Sequence, residues 1–336
     1  MLTLTFVLLG LIQSKIKYKK TTLLMYSILV NCEIILRKWF FISIIKIFNS
    51  FLLQNFFIKD FINSWVKKNN LNLFNDKEYL NYIKKKHRGF ELKKSAIKTL
   101  AIKDSTCDYG FVPSKYSYNI GLTSFDLYCT YYLYQRYRTE LNSLKNIFCF
   151  INVASIGFNL IESSERYRMV AFKHFFKIPY NRDNKIKERF EKKIINGCSL
   201  HNSKDEVNYD YRGYEKNSCL GNLVPVKVRT KGHLRENRRN PNQLKWLIKL
   251  DQLIHEDNRK LYVVMPPCRK DYVDLLPSKY ELYNSIYKMN EMNFEILDFY
   301  DSELFTIEDF RDTDHLNNRG AEKLTSELMK IIKEEI

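Results

Sequence analysis

"AIKTLAIKDSTCDYGFVP", residues 96–113, is the stretch on which the fold turns. Its apolar run, Ala96–Ile102, stops abruptly at the polar tetrad Lys103-Asp104-Ser105-Thr106. A short apolar run closed by turn residues reads as a buried strand. The same texture returns downstream in "YSYNIGL" (116–122), "NIFCFINVAS" (146–155), "KLYVVMPP" (260–267) and "FEILDFY" (294–300). The two prolines after Met265 cannot continue a ladder, so the fourth run ends there.

Between the runs lie helical stretches. "SFDLYCTYYLYQRYRTEL" (124–141) is amphipathic, and Leu244, Leu247, Ile248, Leu250, Leu253 and Ile254 mark one face of "NPNQLKWLIKLDQLIHEDN". "LYNSIYKMNEM" (282–292) and "NNRGAEKLTSELMKIIKEEI" (317–336) follow. Strands alternating with helices predict an α/β three-layer sandwich around a mostly parallel sheet, here over residues 91–336. Residues 160–235 have no clear period and read as an insertion or cap. "KKKHRGF" (84–90) reads as a solvated linker between the sheet and what precedes it.

Residues 1–90 read as an apolar and basic helical region. Residues 1–100 carry 18 Lys and Arg against 5 Asp and Glu, so +13 of the formal +17 sits there. "TTLLMYSILVNCEIILRKWFFISIIKIF" is long enough to span a bilayer, yet Glu33, Arg37 and Lys38 interrupt it. Ser43, Lys46, Ser50 and Gln54 then draw a narrow polar stripe on an otherwise apolar helix. An anionic membrane surface suits such a segment, on the cytoplasmic face if the cysteines are free. A solvated basic face is the plainer alternative. Against nucleic acid, the lysines are mixed with long aliphatic runs and no binding signature is present. The seven cysteines (32, 107, 129, 149, 198, 219, 268) are odd in number and form no CxxC, which reads as buried thiols rather than disulfides or a zinc site. No HExxH, GxGxxG or GxxxxGK[ST] motif is present, and no metal or cofactor is expected.

In parallel α/β folds, ligands sit at the carboxyl ends of strands. Three such ends carry polar groups: Ser105 after the first run, Asn119, Gly121 and Ser124 at the second, and Asp312 and His315 downstream of the fifth. A serine becomes a nucleophile when a base takes its proton, and a carboxylate can hold that base in the right tautomer. Turns rich in glycine offer N–H donors to an oxyanion. Plainer readings exist for each: a turn serine, a hydrogen-bonded core Asn152, and a final helix whose N-cap is Asn317 or Asn318. His233 reads as a surface residue.

The ordered set resembles the SGNH/GDSL hydrolase superfamily. The resemblance lies nearest its divergent members, those associated with bacterial surface polysaccharide and with D-alanyl transfer to teichoic acids. "KDSTCDYGFVP" is similar to the family's first block, "YNIGLTS" to its second and "DTDHLNNRGAEKLT" to its last, covering residues 96 to the C-terminus. The resemblance implies Ser105 as nucleophile, His315 as base and Asp312 as its partner. It also implies an oxyanion hole from the Ser105 N–H and groups near Gly121, Ser124 and Asn152. A serine esterase or O-acyltransferase would follow, acting through an acyl-enzyme on an acylated glycan or its precursor. The family's glycine before Asp-Ser is Lys103, its second glycine falls at Ser124, and "INVASIGFN" stands in place of Gly-x-Asn-Asp. These departures leave a second outcome open, a catalytically degraded relative that binds glycan or protein.

Overall fold

Every residue of Thr99–Lys103 is buried, and the segment forms strand β1. The computed structural model describes residues 76–333 except 181–185, 187, 189–190, 193, 197–209, 217–223, 240–242 and 290–291. Strands β2 (Ser117–Gly121), β3 (Asn146–Phe150), β4 (Lys260–Met265) and β5 (Glu295–Asp298) complete a sheet of order β2-β1-β3-β4-β5. All four pairings are parallel. Continuous apolar runs, rather than alternation, are what a sheet covered on both faces requires.

Alternate residues of the strands serve opposite layers. Leu100, Ile102, Ile147, Cys149, Leu261 and Val263 face one core, and Ala101, Phe148, Phe150, Tyr262 and Val264 the other. Helices α3 (Leu127–Tyr137), α4 (Arg168–Phe176) and α6 (Leu244–Glu256) contribute to the first. After the one-turn helix α7 (Lys270–Val273), the C-terminal helix α8 (Asn318–Ile331) covers the second with Ala321, Leu324, Leu328 and Met329. Between α3 and α6, Tyr128, Tyr131 and Tyr132 gather round Trp246, with ring centroids 4.8, 5.3 and 5.5 Å away.

One expectation is corrected. Residues 84–90 are not a solvated linker but the middle of helix α1 (Asp76–Lys93), which runs across the expected boundary at residue 90. Ile83, Lys86 and Phe90 recur at three- and four-residue spacing and are fully buried. The Lys86 ammonium escapes the cost of burial by pairing with Asp108, which also accepts 2.6 Å from the Tyr82 hydroxyl. A lysine run looked polar because its partner lies 22 residues away.

The segment expected as an insertion contributes α4 and helix α5 (Val226–Asn237) within its described residues. Residues 1–75 of the basic leader, with its polar stripe, lie outside the described residues. Among those described, no helix is long and apolar enough to cross a membrane. Cys107, Cys129, Cys149 and Cys268 are buried free thiols; Cys32, Cys198 and Cys219 lie outside the described residues.

Candidate active site

The chain passes from β1 to β2 on one side of the sheet, then crosses back to β3 on the other, so strand order reverses between β1 and β3. Such a reversal opens a crevice at the carboxyl ends of the strands. Ser105 begins the one-turn helix α2 (Ser105–Asp108) just past β1, and Asn152 follows β3. The two flank that crevice.

Asp104 caps α2, its Oδ1 accepting from the Thr106 amide at 2.9 Å and the Thr106 hydroxyl at 2.7 Å. Its Oδ2 accepts from Asn152 Nδ2 at 2.8 Å and from Lys103 Nζ at 2.6 Å. One carboxylate thereby ties the serine turn to the β3 loop. Burial alone would push its carboxyl up. The Lys103 ammonium and the Thr106 donors outweigh burial and hold it below the ordinary carboxylate value.

Beyond β5 the chain runs to α8, and the loop between them reaches Ser105. A bridge between Phe310 and Leu316 closes that loop, with the Arg311 amide donating 3.0 Å to the His315 carbonyl. Inside it, Asp312 Oδ1 accepts the backbone N–H groups of Asp314 (3.1 Å) and His315 (2.9 Å). This aspartate turn brings residue 312 and residue 315 side chains together. His315 Nδ1 lies 2.8 Å from Asp312 Oδ2, and His315 Nε2 lies 2.8 Å from Ser105 Oγ. Asn317 caps α8 by accepting from the Gly320 amide at 3.1 Å, so the plainer N-cap reading and the Asp-His pair hold together.

The imidazole sits in a charged cage. Tyr109 meets it edge-on with centroids 5.2 Å apart, and Arg311 lies over the Tyr109 ring at 4.3 Å. Asp314, 3% exposed, is gripped by Arg229 of α5 through two 2.8 Å bonds. Burial lowers the His315 pKa, but Asp314 and Asp312 outweigh it and raise it above its ordinary value, while Arg229 pulls it back. A raised value stabilises the imidazolium that a general base becomes. His233, expected at the surface, is instead enclosed, its Nδ1 2.6 Å from the Tyr272 hydroxyl and its Nε2 4.0 Å from Asp314. Burial pushes its pKa down to about 4, so it is neutral at physiological pH.

The expected oxyanion donors fare differently. The Gly121 N–H is taken by Asn119 Oδ1 at 2.8 Å, so Gly121 is not a free donor. Its glycine is needed for packing, since a Cβ there would meet the Asp108 amide at 2.3 Å. Ser124 adopts φ +64, the left-handed conformation that favours glycine, and its hydroxyl joins Glu165 and Arg168. Lys103 likewise adopts φ +128, at a cost of about 1–3 kcal/mol for a non-glycine residue. Both residues thus hold positive-φ backbone that favours glycine while carrying a side chain. Among the described residues, neither the Ser105 nor the Ser124 N–H has a hydrogen-bond acceptor.

Asp312, Asp314 and His315 place donor atoms within 4.8 Å of one another. Both carboxylates already serve cationic or N–H partners, His315 and Arg229, and the trio makes no case for a metal. Sequence reasoning missed Arg229, His233 and Asp314, and nothing in residue spacing links α5 to a loop 85 residues on. The chain matches no protein-family model and no curated protein.

Proposed function

We propose that the protein is a serine esterase or O-acyltransferase of the SGNH hydrolase kind, acting on an acylated cell-surface polysaccharide or its precursor. The observation that carries this reading is the relay Ser105 Oγ–His315 Nε2–Asp312, with both links at 2.8 Å. Its place at the reversal of a parallel sheet, and the flanking Asn152, add support.

In this reading His315 Nε2 takes the Ser105 proton as Oγ attacks the ester carbonyl. The Ser105 N–H, the Ser124 N–H and the Asn152 amide receive the oxyanion. Collapse expels the alcohol, which takes the proton from His315 and leaves an acyl group on Ser105. Water or a sugar hydroxyl then attacks that ester, again deprotonated by His315, and frees the serine. The basic, apolar leader would hold the enzyme at an anionic membrane surface, close to lipid-carried or surface glycan.

Purified full-length protein incubated with a fluorophosphonate probe should label at Ser105 and turn over p-nitrophenyl acetate. Both should disappear in Ser105→Ala and fall by at least about 10^3-fold in His315→Ala. The engagement of the Gly121 N–H favours the second reading, a degraded relative that binds glycan or protein. Protein that is folded by circular dichroism yet inert in both assays would select it.

A further inference from the structure

Lys103 replaces the glycine that its backbone conformation calls for, and its side chain is 1% exposed. A buried ammonium on a strained backbone, one residue from the cap of the nucleophile turn, requires a compensating role. Nζ donates 2.6 Å to Asp104 Oδ2 and 2.9 Å to Ser155 Oγ. The Ser155 hydroxyl in turn accepts from the Asn152 backbone amide at 3.0 Å.

Both partners of Lys103 thereby hold Asn152. Asp104 Oδ2 takes one of its side-chain N–H bonds, and Asn152 Oδ1 accepts from the Ala154 amide at 2.9 Å and meets Ser155 Oγ at 3.1 Å. Those contacts fix which way the amide faces. Its second N–H has no acceptor among the described residues, and the residue is half-buried beside Ser105's crevice.

We propose that Lys103 is a positioning residue, whose ammonium locks Asp104 and Ser155 so that the free N–H of Asn152 is aimed at the oxyanion. The inference rests on the acyl-transfer reading and names a device within it. Nothing of Lys103 reaches the crevice, so it acts through Asn152 rather than on substrate. With the ammonium gone, Asp104 would stay buried without its charge partner. Its carboxyl would then rise toward the neutral form, one oxygen of which no longer accepts from Asn152.

The test compares full-length wild type, Lys103→Met, Lys103→Arg, Asn152→Ala and the Lys103→Met/Asn152→Ala double variant. Each is measured for p-nitrophenyl acetate kinetics and fluorophosphonate labelling per folded molecule. Lys103→Met should lower kcat about 10- to 100-fold with little change in KM, and Lys103→Arg should retain most of it. The double variant should lose no more than Asn152→Ala alone. If Lys103→Met does not fold, Lys103→Gln, which keeps a donor without the charge, is read in the same way. Additive losses, or Lys103→Met labelling at the wild-type rate, would overturn the inference and leave the functional reading intact. Wild-type protein that neither labels nor turns over ester overturns both.

Discussion

At the residue scale, the central object is one imidazole between two carboxylates. Groups facing His315 are Asp312 and Asp314 from its own loop, Tyr109 and Ser105 from the α2 turn, and Arg229 and His233 from α5. As a base, His315 works only when neutral, and its pKa is raised. Activity should therefore fall as pH drops through a midpoint above the unperturbed histidine value of about 6.5. Asp312 is one of the groups that raises it, so Asp312→Asn should move this acid limb to lower pH. It should also cut the plateau rate by up to about 10^4-fold, because an amide no longer selects the productive tautomer. A pH–rate profile of kcat/KM for both proteins checks the two effects, and an unmoved limb would show that Asp312 does not face the titrating base.

Much of this was legible in sequence, for a local reason. Asp312 and His315 lie within one turn, and Ser105 directly follows an apolar run, so short-range spacing marked both ends of the relay. Gly121 misled because a glycine at a strand end can serve backbone approach instead of donation; here the Asp108 amide needs the room. The Lys103–Asp104–Asn152–Ser155 network was not legible, since its members only meet once β1 and β3 pair.

At the element scale, α5 braces the loop that carries Asp312, Asp314 and His315. Its Arg229 and His233, four residues apart, present one helix face to Asp314, while Leu234 packs against the main core. Arg229 is the cation that restrains the His315 pKa, the opposite effect from Asp312. Arg229→Met should therefore move the acid limb to higher pH and destabilise the fold by about 1–3 kcal/mol, leaving Asp314 buried without its partner. The two limbs moving in opposite directions is the informative outcome, read from the same profile and from denaturant melts. Limbs that move together would place Arg229 too far from the imidazole to matter. This helix falls in a stretch without hydrophobic period, because Val226 and Leu234 are joined on its inner face by the charged Arg229 and the polar His233.

At the scale of the whole molecule, the sheet and its covering helices α3, α6 and α8 were readable, and α1 and α5 were not. Five apolar runs ending in turn residues gave the strands, and burial on both faces explains why they lack alternation. Helix α1 escaped because its contact with the body runs through Lys86 as well as Ile83 and Phe90. Lys86→Met should cost about 3–5 kcal/mol by stranding Asp108, measured by urea unfolding. A loss within about 0.5 kcal/mol would mean that α1 does not share the body's cooperative unit. Across the sheet, α8 covers the opposite face, and its cap at Asn317 lies two residues after His315, which meets Ser105.

The most direct measurement is peptide mapping of full-length protein quenched in acid during reaction with p-nitrophenyl acetate. The account predicts one acetyl group on the peptide that contains Ser105, absent from Ser105→Ala and lost again on longer incubation as the acyl-enzyme turns over. Folded protein with no such adduct, or acetyl found only on lysines and equally in Ser105→Ala, would contradict it.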